Sequence, residues 1–238
     1  MLDERERSVL ETLQRLRKED VVLIGGYAVN VYVPPRFSID CDLVVLGNPK
    51  RIEFLLKKDG FVKTESGEGT DGGYVRYEKL PSKVSFDLLI GSVLDRETRI
   101  VFEGKLFRSY SNKRTAVGRA SPLHIEITVA DPELLFAMKF VSARRQDTRD
   151  LFMLAGEKLK WKLIKKLISE KCDSELMRKR AELIENRIES KDYRDSLQGP
   201  YGKIPDKTFD RCKKNLSGFL GELGNDLSIP DRTQDSHF

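Results

Sequence analysis

VVLIGGYAVNVYVPPRFSIDCDLVV, residues 21–45, decides how the rest of the chain is read. Its four leading branched apolar residues predict a short buried strand. Gly25 and Gly26 interrupt it, and YAVNVYV follows with the pattern of a single amphipathic helix. Pro34 and Pro35 are expected to end that helix, because proline lacks the donor to continue it and disfavours the α region just before it. Arg36, Ser38, Asp40 and Asp42 then lead into a second strand, LVVL. The aspartates are two apart, so on an extended chain both carboxylates point to one face.

Two carboxylates at the head of a strand can share Mg²⁺, which favours a few carboxylates together with a substrate's phosphate oxygens. Two adjacent glycines let backbone amides come close to a phosphate, and a helix beginning there adds its positive end. A phosphate cradle followed by a carboxylate pair suits nucleotidyl or phosphoryl transfer. Plainer roles compete with this one: turn capping after the prolines for Asp40 and Asp42, and a tight turn for the glycines.

Working outward, residues 2–19 predict an amphipathic helix with Val9, Leu10, Leu13 and Leu16 at helical spacing, packed on the sheet. Pro49 opens a second helix that Gly60 ends. FVKTE, YVRYEKL and VSFDLLI are expected strands, and in the last Asp87 projects opposite Phe86 and Leu88. SGEGTDGG, residues 66–73, lacks the Gly-Lys-Ser/Thr of a P-loop and suits a long hairpin connection better than a phosphate loop. Residues 91–121 interleave basic side chains with Phe107 and Tyr110. That pattern suits a solvated hairpin and loop, or a grip on single-stranded nucleic acid. LHIEITV is a further strand with His124 at its surface. Asp131 and Pro132 mark a helix start, and helices continue to about Gly224 with a break around residues 198–202. The lysines around Trp161 form either a solvated helix face or an RNA-facing groove.

Composition narrows the classes. Charged residues make up 34% of the 238 and the net charge is +5, a mild bias toward polyanionic partners. No apolar run approaches the roughly 20 residues of a membrane span, and MLDERERSVLE is no signal peptide. Cys41, Cys172 and Cys212 are scattered without metal-ligand spacing, which fits a reducing cytoplasm and argues against zinc.

Gly25-Gly26, Asp40-x-Asp42 and Asp87 together resemble the nucleotidyltransferase superfamily of the DNA polymerase β type. Arg36-x-Ser38-x-Asp40-x-Asp42, Asp131-Pro132, Lys139 and the segment from Arg145 to Asp150 ahead of Leu151 resemble a narrower branch, the AbiEii/MenT-type nucleotidyltransferase toxins. The likeness runs from about residue 21 to 155. It implies an α+β protein: a small mixed β-sheet nucleotidyltransferase core with its N-terminal helix over residues 1–130, then a helical C-terminal domain over residues 131–225. Residues 226–238 are expected to be a poorly ordered tail.

The implied reaction is attack of an acceptor hydroxyl on the α-phosphate of an NTP, with Mg²⁺ or else Mn²⁺ as cofactor. Asp40, Asp42 and Asp87 would hold metal, and Asp87 could also take the hydroxyl proton. Gly25, Gly26, Arg36 and Ser38 would meet the nucleotide, although Arg36 could equally pair with a core aspartate. From the same resemblance, Lys139 would neutralise a phosphate and Asp150 would hold a basic partner or organise the site. On one unbroken helix, Lys139 and Asp150 would share a face. Alternatively, Asp147 caps a new helix with Asp150 at its third position. The resemblance implies tRNA or another RNA as acceptor and an antitoxin as partner. A small-molecule acceptor, a protein acceptor and a non-catalytic nucleotide- or RNA-binding module are the other readings.

Overall fold

The computed structural model describes residues 2–67, 73–80 and 82–226. The centre of the loop between the third and fourth strands and nearly all of the expected tail lie outside the described residues.

The chain opens with α1 (Leu2–Leu16), whose Val9, Leu10, Leu13 and Leu16 are all buried. β1 (Val21–Ile24) follows, then α2 (Gly25–Val29) and β2 (Asp40–Val45). α2 begins at the first glycine and ends four residues before Val33, so the prolines do not terminate it. Asn30 closes the segment instead. Its side-chain amide donates to the Arg36 carbonyl at 2.7 Å and accepts from the Arg36 amide at 3.0 Å, which turns the chain back toward the sheet.

α3 (Pro49–Lys58) starts at Asn48, whose side chain accepts from the Lys50 amide, and ends before Gly60, which takes a positive φ of 84°. β3 (Val62–Gly67), β4 (Gly73–Lys79) and β5 (Val84–Ile90) come next. The region of residues 91–121 holds more order than a hairpin and loop. It forms β6 (Ser92–Leu94), β7 (Val101–Glu103), α4 (Gly104–Ser109) and β8 (Ser111–Val117). Phe107 is fully buried and Tyr110 packs on the core, so these aromatics are not free to stack on bases. β9 (His124–Ala130) alternates as its sequence requires, with Ile125, Ile127 and Val129 inward and His124 exposed.

Among the described residues, seven strands form one mixed sheet in the order β3-β4-β5-β2-β1-β9-β8. β2 runs parallel to β5, and β1 parallel to β9; β1 and β2 pair antiparallel. α1 packs on β9, β5 and α3. Phe61, just after α3, meets Phe86 edge to face at 5.3 Å, so the Phe86 side of β5 is core and the Asp87 side is left for other work.

The remainder is helical: α5 (Pro132–Ser142), α6 (Arg145–Leu154), α7 (Trp161–Ser169), α8 (Ser174–Ile188), α9 (Tyr193–Tyr201) and α10 (Asp206–Asp226). Residues 198–201, expected as a break, are the last turn of α9, and Gly202 ends it. Trp161 contacts Phe136 at 5.4 Å and Phe219 at 5.0 Å, while Lys158, Lys160, Lys162 and Lys166 are exposed. The ring is thus core and the lysines form a solvated face. This sheet with its helical C-terminal part is an α+β fold.

Glu6 of α1 is buried and accepts from three successive backbone amides, those of Arg119, Ala120 and Ser121, at 2.7, 2.7 and 2.9 Å. It pins the first helix to the connection between β8 and β9. Glu6→Ala leaves those amides unpaired and should cost about 2–4 kcal/mol, read as a lower urea midpoint at unchanged m-value.

Candidate active site

Strand register gathers the carboxylates. In the parallel β2–β5 pair, Asp42 lies beside Asp87 and Asp40 beside Ser85. The Ser85 hydroxyl donates to Asp40 Oδ1 at 2.5 Å, and the Tyr74 hydroxyl donates to Asp87 Oδ1 at 3.2 Å. Arg76 of β4 stands directly opposite Asp87 in the antiparallel β4–β5 register. Its guanidinium lies 2.6 Å from Asp40 and 3.2 Å from Asp87, bridging the two. Arg96 is stacked over the Tyr74 ring, 4.8 Å from its centroid, on the same side of the site.

The glycines close the other side. β1 ends with Ile24 opposite Asp42, so the chain passes the carboxylates immediately as it turns into α2. A Cβ on Gly25 would fall 1.9 Å from Asp42 Oδ2, and its φ of +67° also disfavours any side chain. A Cβ on Gly26 would lie 2.5 Å from Ser38 Oγ and 3.0 Å from Arg36 Nη2. Backbone therefore touches Asp42, Ser38 and Arg36 where larger residues would push them out. With only five residues, α2 contributes amides rather than a sizeable dipole.

Arg36 is buried and forks onto Asp150, Nε to Oδ1 and Nη2 to Oδ2, both at 2.8 Å. Lys139 Nζ reaches Asp150 Oδ2 at 2.7 Å and Asp147 Oδ1 at 3.0 Å. The Tyr201 hydroxyl donates to Asp150 Oδ1 at 2.5 Å. Lys139 and Asp150 meet from two helices rather than from one. α5 stops at Ser142, Ala143 adopts a left-handed φ of 45°, and α6 starts at Arg145. Asp150 is therefore not the third residue of its helix. That place is taken by Asp147, whose carboxylate accepts from the Arg144 amide at 3.3 Å. Asp150 has no exposure and acts on the site through Arg36 and Lys139. Burial opposes its charge, but Lys139 and Arg36 overcome it and hold the carboxyl well below the usual range.

The structure thus brings Asp40, Asp42, Asp87 and Gly25 together, with Gly26, Ser38 and Arg36 alongside and Lys139 and Asp150 behind. Arg76, Tyr74, Ser85 and Tyr201 were not apparent from sequence. The first three become visible only once the registers of β4, β5 and β2 are known. Tyr201 sits fifty-one residues from its partner.

Electrostatics favour a cation here. Burial, then Asp87 and Asp40, push Asp42 up to about 7, with Lys139 and Arg144 pulling the other way. Asp87 is raised too, chiefly by burial. Three carboxylates form an all-oxygen donor set suited to a hard divalent ion. As they stand, no three acidic, His or Cys side chains among the described residues are grouped to hold a metal. Arg76 occupies Asp40 and Asp87 as an internal counter-charge. The donor chemistry fits a divalent cation once that guanidinium moves.

The sequence model described as nucleotidyl transferase AbiEii toxin, type IV TA system, matches residues 9–215. Among solved structures, the chain is similar to the crystal structure of JHP933 from Helicobacter pylori, at 17% identity and TM-score 0.45, covering 94% of this chain and 92% of that one. A STING-associated CdnE c-di-GMP synthase from Capnocytophaga granulosa is similar at 13% identity and TM-score 0.28, covering 95% of this chain and 81% of that one. No curated protein matches.

The raised Asp42 binds its proton more tightly in the folded chain than in the unfolded one, where its value is 3.8. Between roughly pH 4 and pH 7 the folded state holds more protons, so this residue removes stability as pH rises through that window. Asp42→Asn should therefore melt higher than the parent at pH 8, by roughly 5 °C, with the gap closing near pH 4. Paired thermal melts across that range provide the check.

Proposed function

The chain belongs to the AbiEii family of nucleotidyl transferase toxins, and from that premise we propose that it moves an NMP from an NTP to a hydroxyl of an RNA, tRNA included. Nucleotidyl transfer and a toxin–antitoxin setting come with the family. The acceptor, the cofactor and the residue roles are our reading. The observation that carries it is the pairing of Asp42 with Asp87, Asp40 on the same strand, against a backbone that only glycine can supply at position 25.

Asp40, Asp42 and Asp87 would hold Mg²⁺ or Mn²⁺, which supplies charge neutralisation on the phosphates and a more acidic hydroxyl. The amides at Gly25 and Gly26, with Ser38, face the triphosphate. Arg36, fixed by its fork onto Asp150, keeps the loop of Ser38 in place. The acceptor oxygen attacks the α-phosphorus, and the bond from that phosphorus to the bridging oxygen of the β-phosphate breaks. Pyrophosphate leaves with the bonding pair. Asp87, raised above an ordinary carboxylate, accepts the hydroxyl proton. Most of the acceleration comes from positioning and charge stabilisation.

Exposed Arg144 and Arg145 beside this centre favour a polyanionic acceptor over a small neutral one. An antitoxin protein is the proposed partner and the cytoplasm the proposed compartment, in keeping with three free, buried cysteines. Among the described residues, no helix is long and apolar enough to cross a membrane.

Label transfer tests the proposal. Full-length protein, Mg²⁺ and each α-³²P-labelled NTP are incubated with total RNA, and separately without it. Label should appear on RNA and drop roughly a hundredfold or more with Asp42→Ala. Label on protein, or none on RNA, would reject the RNA acceptor.

A further inference from the structure

The turn joining α5 to α6 gathers arginines that the reaction above does not use. Arg145 is the first residue of α6, exposed, with no hydrogen bond or ion pair among the described residues. Arg187 of α8 reaches the same turn, donating to the Ala143 carbonyl and to Thr148 Oγ1. Arg180 lies seven residues earlier, two turns along α8 and on the same face. It is only 8% exposed, and its Nε is buried without a hydrogen-bond partner. Arg187 thus holds the turn from which Arg145 starts α6, and Arg180 stands on the same face of α8, so the three flank one turn. Burial and then the like charges of Arg145 and Arg180 pull the Arg187 guanidinium below its ordinary value.

Carboxylates do not balance them. Asp147 is engaged by Lys139 and by Arg144. Glu97, whose side chain is 65% exposed, pairs with Arg180 at 2.8 Å. Three guanidiniums thus face one solvated carboxylate, at the N-terminus of a ten-residue helix. Guanidinium groups match phosphate oxygens in a two-pronged fork.

We propose that Arg145, Arg180 and Arg187 form a phosphate subsite for the backbone of the acceptor nucleic acid, beside the α5–α6 turn and outside the carboxylate centre. The inference rests on the RNA-acceptor reading above. Continuity supports it: Arg144, adjacent to Arg145, pairs with Asp147, which also holds the Lys139 ammonium that reaches Asp150 behind the carboxylate centre. A strand whose hydroxyl is presented to Asp42 and Asp87 can therefore run its backbone over the turn.

Arg145→Ala and Arg145→Glu alter an exposed side chain that has no hydrogen bond or ion pair among the described residues, so the fold is not at stake. Binding of fluorescein-labelled bulk tRNA is measured by anisotropy over a KCl series, beside binding of a fluorescent NTP analogue and label transfer to tRNA by the parent protein. Arg145→Ala should weaken tRNA binding roughly tenfold and lower the slope of log affinity against log salt by about 1. Arg145→Glu should weaken it further, and analogue binding should not change. If the parent labels tRNA while both variants bind it with unchanged affinity and slope, the subsite is wrong and the acceptor reading stands. Weakened analogue binding with unchanged tRNA binding would assign the cluster to the triphosphate and overturn the proposal. If the parent neither binds nor labels tRNA, the acceptor reading fails and the subsite with it.

Discussion

Asp40, Asp42 and Asp87 are held on one side of a sheet by the parallel register of β2 and β5, and their mutual repulsion has to be answered by whatever surrounds them. Slipping that register by one residue would turn Asp87 into the core and bring Phe86 to the site, so the buried Phe86 and Leu88 fix the carboxylates as firmly as any polar contact. The answering charges come from three directions. Arg76 arrives along β4, Lys139 from the end of α5, and Arg144 from the turn before α6. Among the described residues, Arg76 alone is bound directly to two of the three acids. It is the internal counter-charge that holds those two carboxylates side by side.

A second, dry cluster ties the helical part to the sheet. Asp150 is enclosed by Arg36, Lys139, Gln146 and Tyr201, which come from the loop before β2, from α5, from α6 and from α9. A buried ion pair of this kind adds little net stability against an apolar alternative, because both charges lose their water. Its value is geometric. Arg36 can occupy one position only, and with it the loop that sets Ser38 against the Gly26 backbone. The left-handed Ala143 makes this possible by letting α5 and α6 deliver Lys139 and Asp150 from different directions.

What the sequence disclosed follows from how local each signal is. Periodic segments such as α1, β5 and β9 could be read because a single face of each is apolar. Asp40 and Asp42 could be read because a spacing of two fixes their face wherever the strand lies. Other features depend on partners far along the chain. Arg76 meets Asp40 across 36 residues, and Glu6 meets the amide of Ala120 across 114. Nothing in the flanking residues marks either. Of the two readings, one unbroken helix through Lys139 and Asp150 or a new helix beginning near Asp147, the second holds, and Ala143 carries no helix-breaking signal by which the sequence could have decided between them. The turn there is secured by tertiary bonds, notably from Arg187 to the Ala143 carbonyl. Residues 91–121 were hard to read because their strands are short and β8 lies at the sheet edge, where burial imposes little pattern.

The distribution of arginine is more informative than the net charge of +5. Arg36 and Arg76 are matched by carboxylates inside the protein and serve to hold its geometry. Exposed Arg7, Arg15 and Arg51 have acidic neighbours on α1, after α3 and before β1, the usual arrangement of a solvated surface. Around the α5–α6 turn that matching is incomplete, although Arg144 keeps Asp147. Arg145 has no partner among the described residues, Arg180 shares one exposed glutamate, and Arg187 is engaged only by neutral oxygens. Folding alone gives no reason to bring three guanidiniums together with a single exposed acid among them, since their repulsion lowers stability. A cost of that kind is retained where an anion arrives from outside, and here it lies at the edge of the carboxylates that would meet the acceptor.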